Sequence, residues 1–395
     1  MKDEDVVLLG LCRTAIGRFG GALRSLTAAD LGAVVVRESV ARAGVAGEAV
    51  DDVVLGCVLQ AGAGMNVARQ AAIRGGLPDA VPAMTVNRVC GSGLQAAAQA
   101  AQAIRSGDAR VVLAGGTESM SNAPHVLGDL RWGHKLGPSA IVDVMLSEGL
   151  TCALEQCHMG VTGENVAARY GISRGDQDAF AVESQRRARE AITSGRFRDE
   201  IVPIVVPQKK GEAVTVDTDE HPRFDSTLAA LSALGPAYQS EGTVTAGNAS
   251  GINDGAAALV VTSAGHARSL GLEPMARLHA VATSGVAPGI MGMGPVPAVR
   301  RVLDRAGVAL EDLARIELNE AFAAQALAVM RELTLSADRV NVNGGAIALG
   351  HPIGASGARI LVSLVHELRS TGGGLGLAAL CIGGGMGIAA VVEAV

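Results

Sequence analysis

The sequence predicts a layered α/β fold built from two duplicated units, with a further segment inserted between them. Three observations support this prediction: short motifs that recur at a constant offset, near-continuous apolar runs, and a composition rich in small residues. Hydrophobic residues make up 49% of the 395-residue chain, whereas charged residues make up 18% and aromatic residues only 2%. This composition is typical of a compact protein, and the 52 glycines allow backbones to approach closely.

The duplication is visible as motifs that return after 263 or 264 residues. The pairs are Arg42-Ala43-Gly44-Val45 with Arg305-Ala306-Gly307-Val308 (305 − 42 = 263), Ser92-Gly93 with Ser356-Gly357 (356 − 92 = 264), and Leu113-Ala114 with Leu377-Ala378 (377 − 113 = 264). Because the register holds across most of each half, we expect two copies of one α/β unit.

The apolar runs have the pattern of strands that are covered on both faces. Val53–Leu55, Val111–Leu113 and Ala257–Val261 are continuous rather than alternating, which favours helices on both sides of each sheet. The uncharged segment Gly374–Val392 approaches the length of a membrane span, but it contains six glycines. We expect two buried strands around the turn Gly383–Gly385 instead.

The segment between the copies differs from them in composition. Residues 121–249 contain six of the eight aromatic residues and four of the eight histidines. One helix should begin at Ser173, with Asp176 in a weak capping box, and the rest should be rich in loops. The predicted organisation is an N-terminal unit at 1–120 completed by a strand at about 250–270, an inserted domain at 121–249, and a C-terminal unit at 271–395.

Charge and cysteine content exclude several classes of function. The net charge of −6 carries no basic stripe, so we expect no nucleic-acid partner, and we expect no membrane association. The acidic start of the chain is unlike a secretory signal, and six cysteines without CxxC spacing fit a reducing, cytoplasmic location. Cys152, Cys157 and His158 lack a fourth ligand of suitable spacing, so no metal site is expected.

Cys90 has the sequence context of a nucleophile. It stands in Asn87–Gly93, just before an Ala- and Gln-rich helix that should end at Gly107. Unpaired N–H groups and the positive end of the helix dipole would stabilise a thiolate there. The alternative is a buried structural cysteine, which is the commoner role of a free thiol.

Two further residues should converge on Cys90, and a third stands at the end of another predicted strand. His351 precedes by three residues the repeat counterpart of Cys90, which is Gly354 (90 + 264), so two-fold packing would bring an imidazole to the thiol as a base. Cys381 follows a predicted strand and enters a glycine cluster, which suggests a second thiol that serves as acid and base. Asn319 also stands at a strand end, where it could hold a water or simply form a turn.

Together these motifs closely resemble the thiolase family over essentially the whole chain. The resemblance rests on five blocks, which are Asn87–Gly93, Gly247–Gly251, Asn319–Phe322, Asn343–Gly357 and Cys381–Gly387. It implies the thiolase-like fold, in which duplicated α/β units pack as α/β/α/β/α layers with an inserted loop domain.

The resemblance also implies catalytic roles. Cys90 would attack acetyl-CoA with His351 as base, and Cys381 would remove the α-proton of a second acetyl-CoA to give acetoacetyl-CoA and CoA. Asn319, through a water, and His351 would stabilise one oxyanion, and the N–H groups of Cys90 and Gly383 the other. These thioesters are substrates, so no cofactor is expected.

A short acyl pocket is implied by the same comparison. His158 and Met159 lie in a segment that resembles the His-Met-Gly loop of biosynthetic acetoacetyl-CoA thiolases. Met159, Met291 and Phe322 match positions that line a small pocket in those enzymes.

CoA and subunit contacts are assigned to the insertion. The resemblance implies Arg223 near the nucleotide end of CoA and Ser250 near the pantetheine. Family members are dimers or tetramers, and Ala123–Asp143 resembles the loop that joins dimers, so we expect a homotetramer.

Three alternatives remain at this point. The nearest is a degradative or pathway-specific thiolase that cleaves longer or dicarboxylic 3-oxoacyl-CoA with the same residues and a wider pocket. A decarboxylating ketoacyl synthase is disfavoured, because that site has a histidine where this chain has Cys381. A silent lipid-binding or scaffold relative should lack a reacting group, and none is missing here.

Overall fold

The structure is a computed structural model that describes residues 1–208 and 211–395. The helices are α1 (Ala28–Ala43), α2 (Val67–Arg74), α3 (Ser92–Ser106), α4 (Met159–Tyr170), α5 (Arg174–Thr193), α6 (Leu228–Ser232), α7 (Ala264–Ser269), α8 (Pro295–Ala306), α9 (Ala323–Leu333), α10 (Ala346–Leu349) and α11 (Ser356–Ser370). The strands are β1 (Val6–Thr14), β2 (Gly17–Arg18), β3 (Asp52–Gly56), β4 (Ala83–Val86), β5 (Val111–Ser119), β6 (His125–Val126), β7 (Val142–Asp143), β8 (Thr151–Cys152), β9 (Cys157–His158), β10 (Ile201–Val202), β11 (Ile204–Val206), β12 (Val214–Val216), β13 (Asn253–Ser263), β14 (Ala276–Gly285), β15 (Leu313–Leu318), β16 (Gly374–Ile382) and β17 (Met386–Ala394).

The duplication appears directly in the sheet. In the described part of the chain, the strands of the main sheet run in the order β15-β16-β17-β14-β1-β13-β5-β3-β4. The halves meet where β1 pairs with β14. Outward from this junction, the N-terminal strands run β1-β13-β5-β3 and the C-terminal strands run β14-β17-β16-β15. The strands at equal positions in these two series correspond to each other. Strand β13 lies between β1 and β5 and is antiparallel to both.

Five layers result from this arrangement, which confirms the predicted fold class. Helices α3 and α11 pack against each other and share one hydrophobic core with strands of both halves. Helices α1 and α2 cover the outer face of the N-terminal half, and α8 and α9 cover that of the C-terminal half. Strands buried on both faces therefore explain the continuous apolar runs.

The two central helices determine where the site lies. Helices α3 and α11 each have 15 residues and correspond at the offset of 264. A Cβ on Gly93 would lie 2.6 Å from the backbone N of Ala358, and a Cβ on Gly357 would lie 2.4 Å from that of Leu94. Because the first turns approach this closely, the loops that precede both helices meet.

The insertion contains more regular structure than the sequence suggested. Helix α5 begins after Ser173, and Asp176 completes the predicted capping box. Helix α4 was not expected from the sequence, and its first turn is capped by the His158 side chain rather than by a residue common at this position. The remainder consists of short strands and loops, together with the short helix α6 and a π-helical turn at Met145–Leu150.

The uncharged C-terminal segment forms two buried antiparallel strands, as predicted. Strands β16 and β17 pair along their length around the turn at Gly383–Gly385. Within the described residues, no helix is both long and apolar enough to cross a membrane.

Candidate active site

Cys90 lies in the loop between β4 and α3, directly before the N-cap Gly91. The side chain of Ser92 holds this loop, because its hydroxyl donates to the Val89 carbonyl (2.6 Å) and accepts from the Arg88 N–H (2.8 Å). Val89 has a φ of 46°, which is strained for a β-branched residue. Strain of this kind is typical of functional loops that hold one side chain in a fixed place.

Two backbone N–H groups, those of Cys90 itself and of Gly383, point at the Cys90 sulfur. They lower the pKa of the thiol, but burial outweighs them and raises this pKa to about 11. The N–H groups therefore favour the thiolate, as expected, but they do not by themselves ionise Cys90 in the free protein. Since the thiol keeps its proton at neutral pH, a base must remove it.

His351 is a neutral imidazole with a defined tautomer. Its Nε2 faces the amide nitrogen of Asn319 at 3.4 Å, and its Nδ1 lies 2.6 Å from the Ser356 hydroxyl, which donates to the Pro352 carbonyl at 2.9 Å. The proton is therefore on Nδ1, and Nε2 carries the lone pair, which faces the Asn319 amide nitrogen. Burial, followed by the charge of Arg359, lowers the pKa of His351 to about 3, so the ring is neutral at pH 7.

Asn319 follows β15 and is fully buried, with its backbone N–H bonded to the carbonyl of Ala379 in β16. Its side-chain oxygen Oδ1 has no hydrogen-bond partner among residues 1–208 and 211–395. A buried polar atom of this kind is normally satisfied by an ordered water or a ligand. The geometry therefore fits a residue that holds a water beside His351.

Cys381 lies near the end of β16, one strand position from the turn that contains Gly383. Its side chain is buried, and burial raises the pKa of its thiol, with the nearby Cys90 raising it further. The influence of Cys90 indicates that the two sulfurs are close. Two protonated thiols thus lie close together, and Cys90 packs against a cluster that contains Ile353, two residues after His351.

The predicted pocket residues form one cluster around Cys381. The residues of this cluster are Met159, Tyr238, Val244, Ala249, Met291, Ala321, Phe322 and Cys381. The Met159 sulfur is 3.4 Å from where a Cβ on Gly383 would be. His158 stacks on Tyr238 with ring centroids 4.6 Å apart, and Tyr238 contacts Phe322 edge-on at 6.4 Å.

The two predicted CoA contacts lie in different places. The Ser250 N–H donates to the Ala321 carbonyl, and the preceding residue bridges to Phe322, so Ser250 lies beside the pocket. Arg223 is exposed, and its backbone N–H donates to Gln185 on α5. Among residues 1–208 and 211–395, only the backbone of Arg223 is hydrogen-bonded, and its side chain lies at the surface of the insertion.

Sequence reasoning missed Glu118, a buried carboxylate at the end of β5. It accepts hydrogen bonds from the N–H groups of Val58 (3.0 Å), Leu59 (3.1 Å) and Gly354 (2.9 Å), and the Cys57 thiol donates to it. It thus connects a loop of the N-terminal unit to the segment that carries His351. Burial raises the pKa of Glu118 to about 7. An acid near the end of a strand that begins as a continuous apolar run was the available signal.

Comparisons with known proteins agree on one family. The thiolase N-terminal domain matches residues 6–265, and the thiolase C-terminal domain matches residues 272–394. Acetyl-CoA acetyltransferases of Pseudomonas aeruginosa and Cupriavidus necator are each 56% identical to this chain, and each alignment covers 98% of it. The alignments also cover 98% of the Pseudomonas aeruginosa protein and 99% of the Cupriavidus necator protein. The crystal structure of the Bacillus anthracis acetyl-CoA acetyltransferase is 46% identical and superposes with a TM-score of 0.97, covering 99% of both chains.

Proposed function

This chain belongs to the thiolase family, and from that premise we propose that it is an acetyl-CoA C-acetyltransferase. It catalyses the reversible Claisen condensation of two acetyl-CoA molecules to acetoacetyl-CoA and CoA. The observation that carries the proposal is that Cys90 and Cys381 lie close together beside a compact apolar cluster, with Asn319, which faces Nε2 of His351, bonded to β16 two residues before Cys381. The names of the full-length relatives support the same substrate.

In the first half-reaction, the Cys90 sulfur forms a thioester with the acetyl group. The Cys90 proton moves to Nε2 of His351, which carries the lone pair, and the bond between the acetyl carbon and the CoA sulfur breaks. CoA leaves as a thiol after taking a proton from Cys381. The oxyanion that forms on the way is stabilised by the N–H groups of Cys90 and Gly383.

In the second half-reaction, the Cys381 thiolate removes an α-proton from a second acetyl-CoA. The resulting carbanion attacks the acetyl carbon on Cys90, a carbon–carbon bond forms, and the Cys90 sulfur leaves with the proton held by His351. The oxygen of the second thioester is stabilised by protonated His351 and by a water held on Oδ1 of Asn319, which is buried without a partner in the described residues. Run in reverse, the same transfers perform thiolysis.

A short acyl chain is supported by the bulk around Cys381. Met159, Met291, Phe322 and Tyr238 pack in one cluster with it, and the aromatic rings of Tyr238 and Phe322 contact each other. Extra methylene groups would have to displace these side chains, at a cost of roughly 1–3 kcal/mol each. Longer or dicarboxylic chains are therefore disfavoured.

The first test is incubation with acetyl-CoA alone, followed by intact-mass measurement and release of CoA. Wild-type protein should gain about 42 Da, the mass of one acetyl group, and release CoA, whereas Cys90→Ser should do neither at matched times. Cys12→Ser is the matched control, because the Cys12 thiol is buried and donates only to the Val35 carbonyl, a bond that serine can replace. Wild-type protein that gains no acetyl group would refute the proposal.

Chain length needs a separate measurement. Thiolysis of acetoacetyl-CoA and of straight-chain 3-oxoacyl-CoA with two, four and six further carbons should fall steeply after the first member. Equal kcat/KM across the series would favour the degradative alternative.

The homotetramer and the cytoplasmic location are part of the same proposal. In residues 123–143 the side chains of Trp132, Leu136 and Ile141 are 86%, 93% and 70% exposed, an apolar group that is typical of a subunit contact. The free thiols are consistent with a reducing compartment. Sedimentation should give a tetramer mass, and a dimer mass would contradict the assembly.

A further inference from the structure

Two cysteines outside the catalytic group face each other across a tight hairpin. Strands β8 and β9 are antiparallel, and Cys152 pairs directly with Cys157. Facing residues of an antiparallel ladder have Cα atoms about 4.5–5.5 Å apart and side chains on the same face. A disulfide needs a Cα separation of about 4.4–6.8 Å, so the backbone is already suitable for one.

The two thiols differ in a way that suits sequential reaction. Cys157 is partly exposed, so a small oxidant can reach it, whereas Cys152 is only 3% exposed. The Cys152 sulfur accepts the N–H of Glu155 at 3.4 Å, which directs it over the turn that joins the strands. Burial, followed by the nearby Cys152, raises the pKa of Cys157, so its reaction should accelerate as the pH rises.

The other cysteines lack this arrangement. The Cys12 thiol donates to the Val35 carbonyl, and the Cys57 thiol donates to Glu118, both in buried surroundings. In the described residues neither is paired with another cysteine across a strand ladder. They therefore serve as internal references for the reactivity of Cys157.

We propose that Cys152 and Cys157 are a modification site that closes to a disulfide by exchange with a small disulfide such as oxidised glutathione. The Cys157 thiolate attacks one glutathione sulfur, the glutathione S–S bond breaks, and one glutathione leaves. The Cys152 sulfur then attacks Cys157, and the second glutathione leaves. Two protein thiols lose two electrons, glutathione disulfide gains them, and the two thiol protons go to the two glutathiones.

The product would join β8 to β9 beside the acyl pocket. Cys157 is followed by His158, which stacks on Tyr238, and then by Met159, which belongs to the cluster around Cys381. The disulfide itself involves neither Cys90 nor Cys381. Its formation is therefore measured by peptide chemistry and does not depend on the proposed activity.

The test is peptide mapping of the full-length protein after incubation with oxidised glutathione at pH 8 and alkylation of the remaining thiols. Cleavage after Lys135 and Arg169 gives one peptide with both cysteines, and further cleavage after Glu148, Glu155 and Glu164 separates them. In oxidised protein, fragments 149–155 and 156–164 should stay joined until a reductant is added. The peptides that contain Cys12 and Cys57 should be alkylated throughout.

The variant Cys152→Ser tests the order of events. Without the second thiol, glutathione should remain on Cys157, and this mixed disulfide should exceed the wild-type level by about tenfold or more. The proposal is overturned if wild-type protein stops at the mixed disulfide. It is equally overturned if fragments 149–155 and 156–164 separate with both cysteines alkylated.

Discussion

Replacing Ser356 with alanine tests how the structure fixes the proton on His351. The Ser356 hydroxyl is fully buried, accepts from Nδ1 of His351 at 2.6 Å and donates to the Pro352 carbonyl at 2.9 Å. In Ser356→Ala, a proton on Nδ1 has no acceptor, so the ring favours the tautomer with its proton on Nε2. That tautomer cannot take the proton of Cys90.

The size of the effect follows from the burial of the ring. His351 is only 5% exposed, and a buried N–H without a partner costs about 1–3 kcal/mol. In Ser356→Ala, this free-energy cost is added to both forms of His351 that carry a proton on Nδ1. These are the neutral ring that accepts the Cys90 proton and the imidazolium that results. We therefore expect the rate of acetyl transfer to Cys90 to fall roughly 5- to 150-fold, with a smaller change in KM.

The assay is single-turnover acetylation by acetyl-CoA, read as CoA release, beside a matched variant on the same helix. Ser363→Ala also removes a buried hydroxyl, one that donates to Glu200 at 3.0 Å, so it controls for lost stability. If Ser356→Ala acetylates as fast as Ser363→Ala, at equal folded fraction, the tautomer argument is wrong.

The other predictions concern stability, specificity and assembly. Because the pKa of His351 is lowered to about 3 in the folded protein and is about 6.5 when unfolded, the unfolded state binds an extra proton below about pH 6.5. The free energy of unfolding should therefore fall by about 2 kcal/mol between pH 7 and pH 5 because of this group. Denaturant unfolding of His351→Asn at several pH values should show a pH dependence that is smaller by this amount. Met159→Ala should open the cluster around Cys381 and raise the kcat/KM ratio of 3-oxohexanoyl-CoA to acetoacetyl-CoA by about tenfold, and an unchanged ratio would exclude Met159 from the acyl pocket. The double variant Leu136→Asp, Ile141→Asp should place charges in the proposed subunit contact and reduce the mass measured by sedimentation from a tetramer to a dimer. A tetramer mass for this variant would show that residues 123–143 do not hold the assembly together.

Much of the fold followed from local patterns. The offset of 264 predicted that α3 and α11 are equivalent, and both extend over the corresponding 15 residues. Glycine turns and continuous apolar runs identified β16 and β17. Helix α4 was missed because its N-cap residue is a histidine, which is uncommon at that position. The residues before the helix form the β8–β9 hairpin, which local propensity does not reveal.

The candidate site could be predicted only in part. The motifs named Cys90, His351 and Cys381, but Glu118 makes its contacts with residues about 60 and 236 positions away, and no local pattern encodes such partners. The size of the burial effect on the pKa of Cys90 could not be predicted, because a helix terminus is a local feature whereas desolvation depends on everything packed around the sulfur.

The sequence by itself determined the duplicated α/β units, the strand ends and the identities of the reacting groups, because each depends on the order of nearby residues and on their side-chain chemistry. Tertiary structure decided which protons these groups hold. Nε2 of His351 is a base only because Ser356 and Asn319, which lie on either side of it, receive and donate the right hydrogen bonds. Cys90 is partly buried, and the desolvation that raises the pKa of its thiol is a property of the packed molecule rather than of any one segment.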